Sequence, residues 1–204
     1  MPPEIVLLTG EAEISHLTEV LKEHRSDITV KSAFTLAELE NVCQNPSESG
    51  RRLIAYCTSI IVPGSILDAL DGPAYNFYPG PPTYPGVYPA NFAIYDGAME
   101  FGVTAHVMTE KVDEGAIIAT HSFDVDPNAN FNDLEIKAYL ELFALFKRLG
   151  PQLVNLAEPL AELGIPWGSR KTTLKEYNNL RHFDPIQDAL LSSEEKKRRQ
   201  RAFG

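Results

Sequence analysis

The sequence predicts an α/β fold, a Rossmann-like, doubly wound and mostly parallel sheet with an antiparallel pair of strands late in the chain. Two observations predict the parallel part. Short continuous apolar runs, typical of strands buried on both faces, alternate with segments whose apolar residues recur every three or four positions. A third observation predicts the antiparallel pair, because only a short turn at residues 113–115 lies between the last two predicted strands.

The first half of the chain alternates predicted strands and helices. The three strands are expected at residues 5–9, 28–30 and 53–56. The first helix has one apolar face, formed by Ile14, Leu17, Val20 and Leu21. The second helix is expected at residues 36–42. This βαβαβ order is the basis of the doubly wound assignment.

A loop rich in proline and glycine follows the fourth predicted strand. Pro63 precedes a helix that ends near Leu70, and the fourth strand covers residues 74–77. The prolines and glycines of residues 78–86 prevent both helix and strand. Because ligands bind at the carboxyl ends of strands in open α/β sheets, this loop is a candidate binding site.

The later elements complete the predicted sheet. They are a helix at residues 89–96, strands at residues 102–108 and 116–125, and a long helix at about residues 133–149. The long helix has leucines and an alanine on one face, which predicts that it packs against the sheet. Asn132 and Glu135 are the expected capping box at its start.

The end of the chain is expected to extend the same domain. Prolines and glycines prevent regular structure after residue 159. We therefore expect residues 1–158 to form one catalytic domain and residues 159–204 to pack on it. The basic run at residues 196–201 follows an acidic start, which is typical of the end of a solvated helix; RNA or an anionic lipid is the alternative partner.

Composition and charge disfavour several classes of protein. The formal net charge of −10 argues against a nucleic-acid partner, because phosphate neutralisation supplies most of that affinity. No apolar run approaches the roughly 20 residues that span a bilayer, and the start lacks a basic secretory leader. A cytoplasmic protein without a membrane partner is therefore expected. Cys43 and Cys57 lack metal-ligand spacing and are expected to be buried thiols.

Five short motifs occur in order along the middle of the chain. They are the segments at residues 76–79, 84–86, 93–97, 102–108 and 112–118. In order and spacing this series resembles the formyltransferase family, which includes glycinamide ribonucleotide, methionyl-tRNA and sugar-amine formyltransferases. The resemblance is specific between about residues 53 and 120 and is mainly architectural on either side.

The resemblance implies a formyltransferase fold, a reaction and a set of site residues. The implied reaction transfers a formyl group from 10-formyltetrahydrofolate to an amine, without a metal. Asn76 and Asp113 match the family's catalytic asparagine and aspartate, while Tyr78 stands in place of its central histidine. His106 matches a further histidine of the glycinamide members. The implied folate-binding positions are Ile60, Ile61, Val62, Val112, Glu114 and Gly115.

The chemistry of formyl transfer explains why these residue types are needed. An amine that attacks a formyl carbon creates an oxyanion, which a fixed amide donor such as Asn76 can stabilise. Asp113 can accept the proton that the amine loses. A phenol stays neutral at pH 7 and can donate a hydrogen bond, so Tyr78 is expected to point into the crevice and donate to the formyl oxygen. Taken singly, Asn76 and Asp113 could be ordinary turn residues; their combination favours a site.

The sequence also disfavours some of the formyl acceptors that members of the family use. Glu11 and Glu13 occupy the loop after the first strand, where the glycinamide members bind a phosphate that two carboxylates would repel. The short segment after residue 159 and the acidic balance argue against formylation of tRNA. An unidentified small amine is the expected acceptor; a formyltetrahydrofolate hydrolase or a folate-binding protein without turnover is the alternative. A dinucleotide-binding oxidoreductase is disfavoured, because Gly10 alone remains of the required glycine fingerprint.

Overall fold

The computed structural model describes residues 4–44, 47, 50–155, 159–182 and 189–204. The strands are β1 (Glu4–Leu8), β2 (Thr29–Ala33), β3 (Arg51–Tyr56), β4 (Tyr75–Tyr78), β5 (Glu100–Val107) and β6 (Ile117–Asp124). The helices are α1 (Ile14–His24), α2 (Leu36–Gln44), α3 (Gly64–Asp68), α4 (Pro89–Asp96), α5 (Phe131–Asn155), α6 (Leu174–Arg181) and α7 (Ser193–Phe203).

The strands form one six-stranded sheet in the order β2-β1-β3-β4-β5-β6. Strands β1 to β4 pair in parallel, while β5 pairs antiparallel with both β4 and β6. The predicted α/β fold and the late antiparallel pair are therefore confirmed. The antiparallel part starts one strand earlier than expected, because the chain enters β5 from the same carboxyl edge at which β4 ends.

Both faces of the sheet are buried, as the continuous apolar runs predict. On β1, Ile5 and Leu7 belong to the core cluster that contains residues of α1, α4 and α5, while Val6 and Leu8 belong to the one that contains residues of α2 and α3. The predicted face of α1 also lies in the core, with Leu17 as one of its fully buried members. Burial of such side chains contributes roughly 1.5–3 kcal/mol each and holds the sheet between two helical layers.

Helix α5 differs from the prediction at both ends. The expected cap at Asn132 and Glu135 is wrong: the helix begins at Phe131, and Asn130 caps it. Asn130 Oδ1 accepts from the Asp133 amide at 3.1 Å, and Asp133 Oδ2 accepts from the Asn130 amide at 3.0 Å. At the other end the helix continues to Asn155 beyond Pro151, because buried leucine and valine side chains extend its apolar face.

The segment after residue 159 docks on the loop that follows β4. The Gly168 amide donates to Pro82 O and the Thr172 amide to Pro85 O, both at 2.8 Å. The Val87 amide returns a bond to Thr172 O at 3.3 Å. These bonds form a short ladder between residues 82–87 and 168–172. The division at residue 158 stays a prediction, and residues 156–158 lie outside the described part of the chain.

The basic run at residues 196–201 lies in α7. Arg198 and Arg199 both pair with Glu195 at 2.9 Å, and the Arg201 guanidinium donates to Ala129 O at 2.8 and 3.2 Å. The apolar residues of α7 lie at its end, where Ala202 and Phe203 are buried in the main core. Intramolecular pairing of the arginines favours the surface-helix interpretation over an RNA or lipid contact. Among the described residues, no helix is long and apolar enough to cross a membrane.

Gly86→Ala should destabilise the protein more than Gly164→Ala, if docking of the final segment depends on a close backbone approach. At Gly86, φ is +109° and an added Cβ would lie 2.2 Å from Thr172 O. Gly164 has φ of +68°, but an added Cβ meets nothing within 4 Å. We expect Gly164→Ala to cost about 1–2 kcal/mol and Gly86→Ala at least about 3 kcal/mol in urea unfolding. Equal losses would contradict the docking.

Candidate functional site

Two neighbouring strands and the connection beyond them bring the predicted reactive residues together. Asn76 and Tyr78 are two residues apart on β4, so their side chains leave the same face of the sheet. The antiparallel register places His106 of β5 directly opposite Asn76. Asp113 comes from the connection between β5 and β6. All four residues line one cavity.

Asn76 and His106 form a hydrogen-bonded pair. Asn76 Nδ2 lies 3.1 Å from His106 Nε2, and His106 Nδ1 lies 2.9 Å from Val107 O. A carbonyl oxygen only accepts, so Nδ1 carries the imidazole proton and Nε2 is the acceptor for the Asn76 amide. The amide group is thereby held with its nitrogen toward His106, and its second N–H remains available to a ligand.

Burial keeps the imidazole of His106 in this neutral state. The side chain is 3% exposed, and this burial lowers the pKa of His106 below its usual range. The bond to Val107 O and the negative charge of Asp113 act in the opposite direction, but they do not reverse the shift. At pH 7 the ring therefore accepts a hydrogen bond from Asn76 instead of repelling it.

Asp113 links the β5–β6 connection to the loop after β4. Its Oδ2 accepts from the Gly86 amide at 2.8 Å. Its backbone is left-handed, with φ of +52°, and the residue is 6% exposed. Non-glycine residues rarely adopt this conformation, and such residues cluster at functional sites. The strained backbone and the amide bond together place a carboxylate in the wall of the cavity.

Tyr78 is hydrogen-bonded to the loop that follows β4. Its hydroxyl donates to Tyr84 O at 2.6 Å and lies 3.1 Å from Gly86 O, both in the loop that follows β4. A phenol has one proton, and these carbonyl oxygens use it. Burial first, and then the charge of Asp113, raise the pKa of Tyr78, so it stays neutral. Tyr78 lines the cavity, but here its hydroxyl proton is directed at the loop, which Tyr78 anchors; donation to a formyl oxygen stays a prediction.

The cavity has a volume of about 440 Å³, within the range of small-molecule sites. Four of the predicted folate-binding positions line it: Ile60, Ile61, Val62 and Val112. Two do not. Glu114 faces Lys111 at 3.6 Å, and Gly115 allows a tight turn, because an added Cβ would lie 1.8 Å from Val107 O. The apolar wall suits a flat aromatic ligand.

The segment after residue 159 supplies site residues that the sequence reasoning missed. Lys171 and Thr172 line the cavity. Trp167 lies behind it: the indole N–H donates to Gly115 O at 2.8 Å, and its ring meets the His106 ring edge-on at 5.0 Å. Trp167 is the one tryptophan in the chain, within a stretch of prolines and glycines. A large aromatic side chain in such a stretch was the available signal, since it needs a packing partner.

The arrangement can bind a polar ligand group and move a proton. One Asn76 N–H is directed to His106, and the other is a donor in the wall of the cavity. One Asp113 oxygen is bonded to the Gly86 amide, and within the described residues the other has no protein partner. Ile61 and Val112, which are 65% and 42% exposed, add apolar surface to the cavity.

Comparisons with solved structures support the fold. A 4-N formyltransferase from Francisella tularensis superposes with a TM-score of 0.75 at 17% identity, covering 98% of this chain and 87% of that one. An N-formyltransferase from Helicobacter canadensis, solved in complex with folinic acid and dTDP-3-aminofucose, gives 0.71 at 17% identity, over 98% and 80%. At such identities the likeness shows the fold alone.

Sequence comparison identifies the family. Methionyl-tRNA formyltransferase from Flavobacterium psychrophilum is 36% identical over 56 residues, which are 28% of this chain and 18% of that relative. This chain therefore matches less than a fifth of that protein's length. The family model described as formyl transferase matches residues 15–141, more than half of the 204 residues, and this range includes all five motifs that carried the resemblance. The chain belongs to the formyltransferase family.

Proposed function

We propose that this protein transfers a formyl group from 10-formyltetrahydrofolate to the amine of a small acceptor. The observation that carries the proposal is the convergence of Asn76, His106 and Asp113 on one apolar cavity at the carboxyl edge of the sheet. Family membership and a structural neighbour in complex with folinic acid support a folate donor. Lys111 and Lys171 line the same cavity and supply positive charge for the carboxylates of the folate's glutamate tail.

The residues account for the steps of such a transfer. The acceptor nitrogen attacks the formyl carbon, and the free N–H of Asn76 stabilises the resulting oxyanion. Asp113 accepts the proton that the nitrogen loses. The bond between the formyl carbon and N10 of the folate then breaks, and N10 takes up a proton. Formamide and tetrahydrofolate are the products, so atoms and charge balance without a further reactant.

Neutral His106 has a supporting part in this account. It neither touches the oxyanion nor supplies its proton, because Nδ1 is bonded to Val107 O and Nε2 accepts from Asn76. It holds the amide donor in one orientation, which removes the cost of reorganisation at the moment of reaction. We assign it as a positioning residue.

Folate binding without turnover is the second candidate function, and the position of Tyr78 favours it. The family's central histidine is a donor to the oxyanion, whereas the Tyr78 hydroxyl donates to backbone oxygens of the loop. Removal of one oxyanion donor costs roughly a hundred- to a thousandfold in rate in other enzymes. A chain with Asn76 as its remaining donor could bind the folate and turn over very slowly.

Incubation with 10-formyltetrahydrofolate and a mixture of amines should release tetrahydrofolate, which is followed spectroscopically. We expect Asn76→Ala and Asp113→Ala to slow release by about a hundredfold or more, because each removes a group that acts on the reacting atoms. Asn132→Ala, at an exposed position on α5, is the matched control and should react like the wild type. Unchanged release of tetrahydrofolate in Asn76→Ala would contradict the assignment of Asn76 as the oxyanion donor.

Folate binding can be followed separately through the fluorescence of Trp167. Its indole lies against His106 and Tyr78, and no second tryptophan obscures the signal. We expect saturable quenching by 10-formyltetrahydrofolate. Quenching without release, together with release in Tyr78→His, would establish the second candidate function. Absence of quenching would contradict both.

His106 should stay neutral to a lower pH in the folded protein than in the unfolded protein. Burial lowers its folded pKa, so between that value and the unfolded pKa of about 6.5 the unfolded chain binds the extra proton. Its contribution to stability is therefore complete above about pH 6.5 and is lost as the pH falls through the folded pKa. Nitrogen chemical shifts of His106, measured in native and urea-unfolded protein, test this. A folded midpoint at or above the unfolded one would contradict it.

A further inference from the structure

A β-bulge in the sheet lies at His106. The register of β5 and β6 shifts here, because Ala105 pairs with Ala119 whereas His106 pairs with Ile117. Two residues of β6 therefore stand where β5 has one. Bulges interrupt the hydrogen-bond ladder, redirect nearby side chains and are frequent beside active sites. Regular strand pairing does not by itself fix the direction of the His106 ring.

The segment after residue 159 supplies hydrogen bonds at this bulge. The Leu163 amide donates to Ile117 O, and the indole N–H of Trp167 donates to Gly115 O, both at 2.8 Å. The two acceptors lie at the start of β6 and in the turn before it. These bonds hold the part of the chain that carries Asp113, two residues before Gly115.

Trp167 also contacts the His106 ring. The two ring centroids lie 5.0 Å apart, and the ring planes are nearly perpendicular, at 89°. Aromatic rings prefer such edge-on contacts, which favour one relative orientation. His106 is buried even though it lines the cavity. The indole therefore contributes to the burial of the imidazole and to its direction.

The turn that Trp167 holds also bears on the tautomer of His106. The His106 Nδ1 proton is donated to Val107 O at 2.9 Å. Gly115 packs against that same oxygen so closely that an added Cβ would overlap it. A displaced turn would loosen this acceptor and let Nε2 carry the proton instead. In that tautomer Nε2 is a donor and does not accept from Asn76.

We propose that Trp167 is a positioning residue for formyl transfer: it braces the turn at Gly115 and holds His106 in the form that accepts from Asn76. This inference rests on the proposed function and adds a residue that lies outside the motifs of the family. Trp167 touches no reacting atom in this account. It acts on the oxyanion donor through His106.

Other charged groups around His106 also act on its charge. The carboxylate of Asp113, in the β5–β6 connection, favours the protonated ring. Two lysines of the cavity wall oppose it by their sign. They are Lys111 and Lys171. Tyr78 on β4 is neutral. All of these groups stay in place when Trp167 is replaced, so a change of the His106 pKa in a Trp167 variant reports the lost indole.

The emission of Trp167 in the unaltered full chain tests the contact first. An imidazolium that forms against an indole interacts with its π face or edge and changes its surroundings. We expect the emission to change with pH at the same midpoint as the nitrogen chemical shifts of His106. Emission that stays constant while His106 titrates in the folded protein would overturn the proposal.

Two variants separate the two contacts of Trp167. Trp167→Leu removes the ring and the N–H, so water reaches His106 and its midpoint should rise by at least about half a pH unit, toward 6.5. Release of tetrahydrofolate should then fall more at pH 6 than at pH 8. Trp167→Phe keeps a ring but loses the bond to Gly115. Its midpoint should stay near that of the wild type, while release falls about threefold or more at both pH values.

Arg170→Ala is the matched control. Arg170 is in the same segment, but its guanidinium pairs with Asp96 at 3.5 Å and with Glu176 at 3.7 Å. We expect the His106 midpoint and the pH dependence of release to match those of the wild type. An equal rise of the midpoint in Arg170→Ala would trace the effect to loosening of the whole segment and overturn the role of Trp167.

An unchanged His106 midpoint in Trp167→Leu would also overturn the proposal. If that variant does not fold, the emission titration of the wild type and the Trp167→Phe variant decide. The midpoints and the emission are measured without turnover, so they stand apart from the proposed function. A wild type that releases no tetrahydrofolate would remove the proposed function and leave the contact intact. Release with equal midpoints in all variants would keep the proposed function and remove Trp167 from it.

Discussion

The antiparallel register between β4 and β5 is the constraint on which the site depends. It sets Asn76 opposite His106, and the neutral ring then fixes the direction of the amide donor. A slip of either strand by one residue would turn that strand's side chain to the opposite face of the sheet and separate the pair. The buried aromatic rings of Phe77 and Phe146, whose centroids lie 5.0 Å apart, hold the strand against α5 and so secure that register.

Three separate segments meet around this pair. Asp113 ties the β5–β6 connection to Gly86, the Tyr78 hydroxyl ties the same loop to β4, and Thr172 pairs with the loop from outside. Each bond uses a backbone group that proline and glycine leave without a partner in regular structure. Trp167 closes the rear of the site against His106. The segment after residue 159 is thus part of the wall of the site and not only of the surface.

The sequence predicted the elements well, because the core requires them locally. Continuous apolar runs identified the parallel strands, and the helix from Pro89 to Asp96 was placed correctly. Asn76, His106 and Asp113 could be grouped through their motifs. The hydrogen-bond partners of the Tyr78 hydroxyl and the contact of Trp167 with His106 could not be predicted. Both depend on contacts between segments that are distant in the sequence, and such contacts leave no periodic pattern. The start of α5 was missed because an aspartate replaces the usual glutamate in its cap.

The central claim is that a formyl carbon moves from folate to an amine at Asn76. The most direct test is to supply 10-formyltetrahydrofolate labelled with ¹³C in the formyl group and to follow that carbon by NMR in the presence of a mixture of small primary amines. Our account predicts a new formamide resonance that grows with time and is strongly reduced in Asn76→Ala. Label that stays on the folate, or that appears only as formate, would contradict transfer and leave a binding protein or a hydrolase.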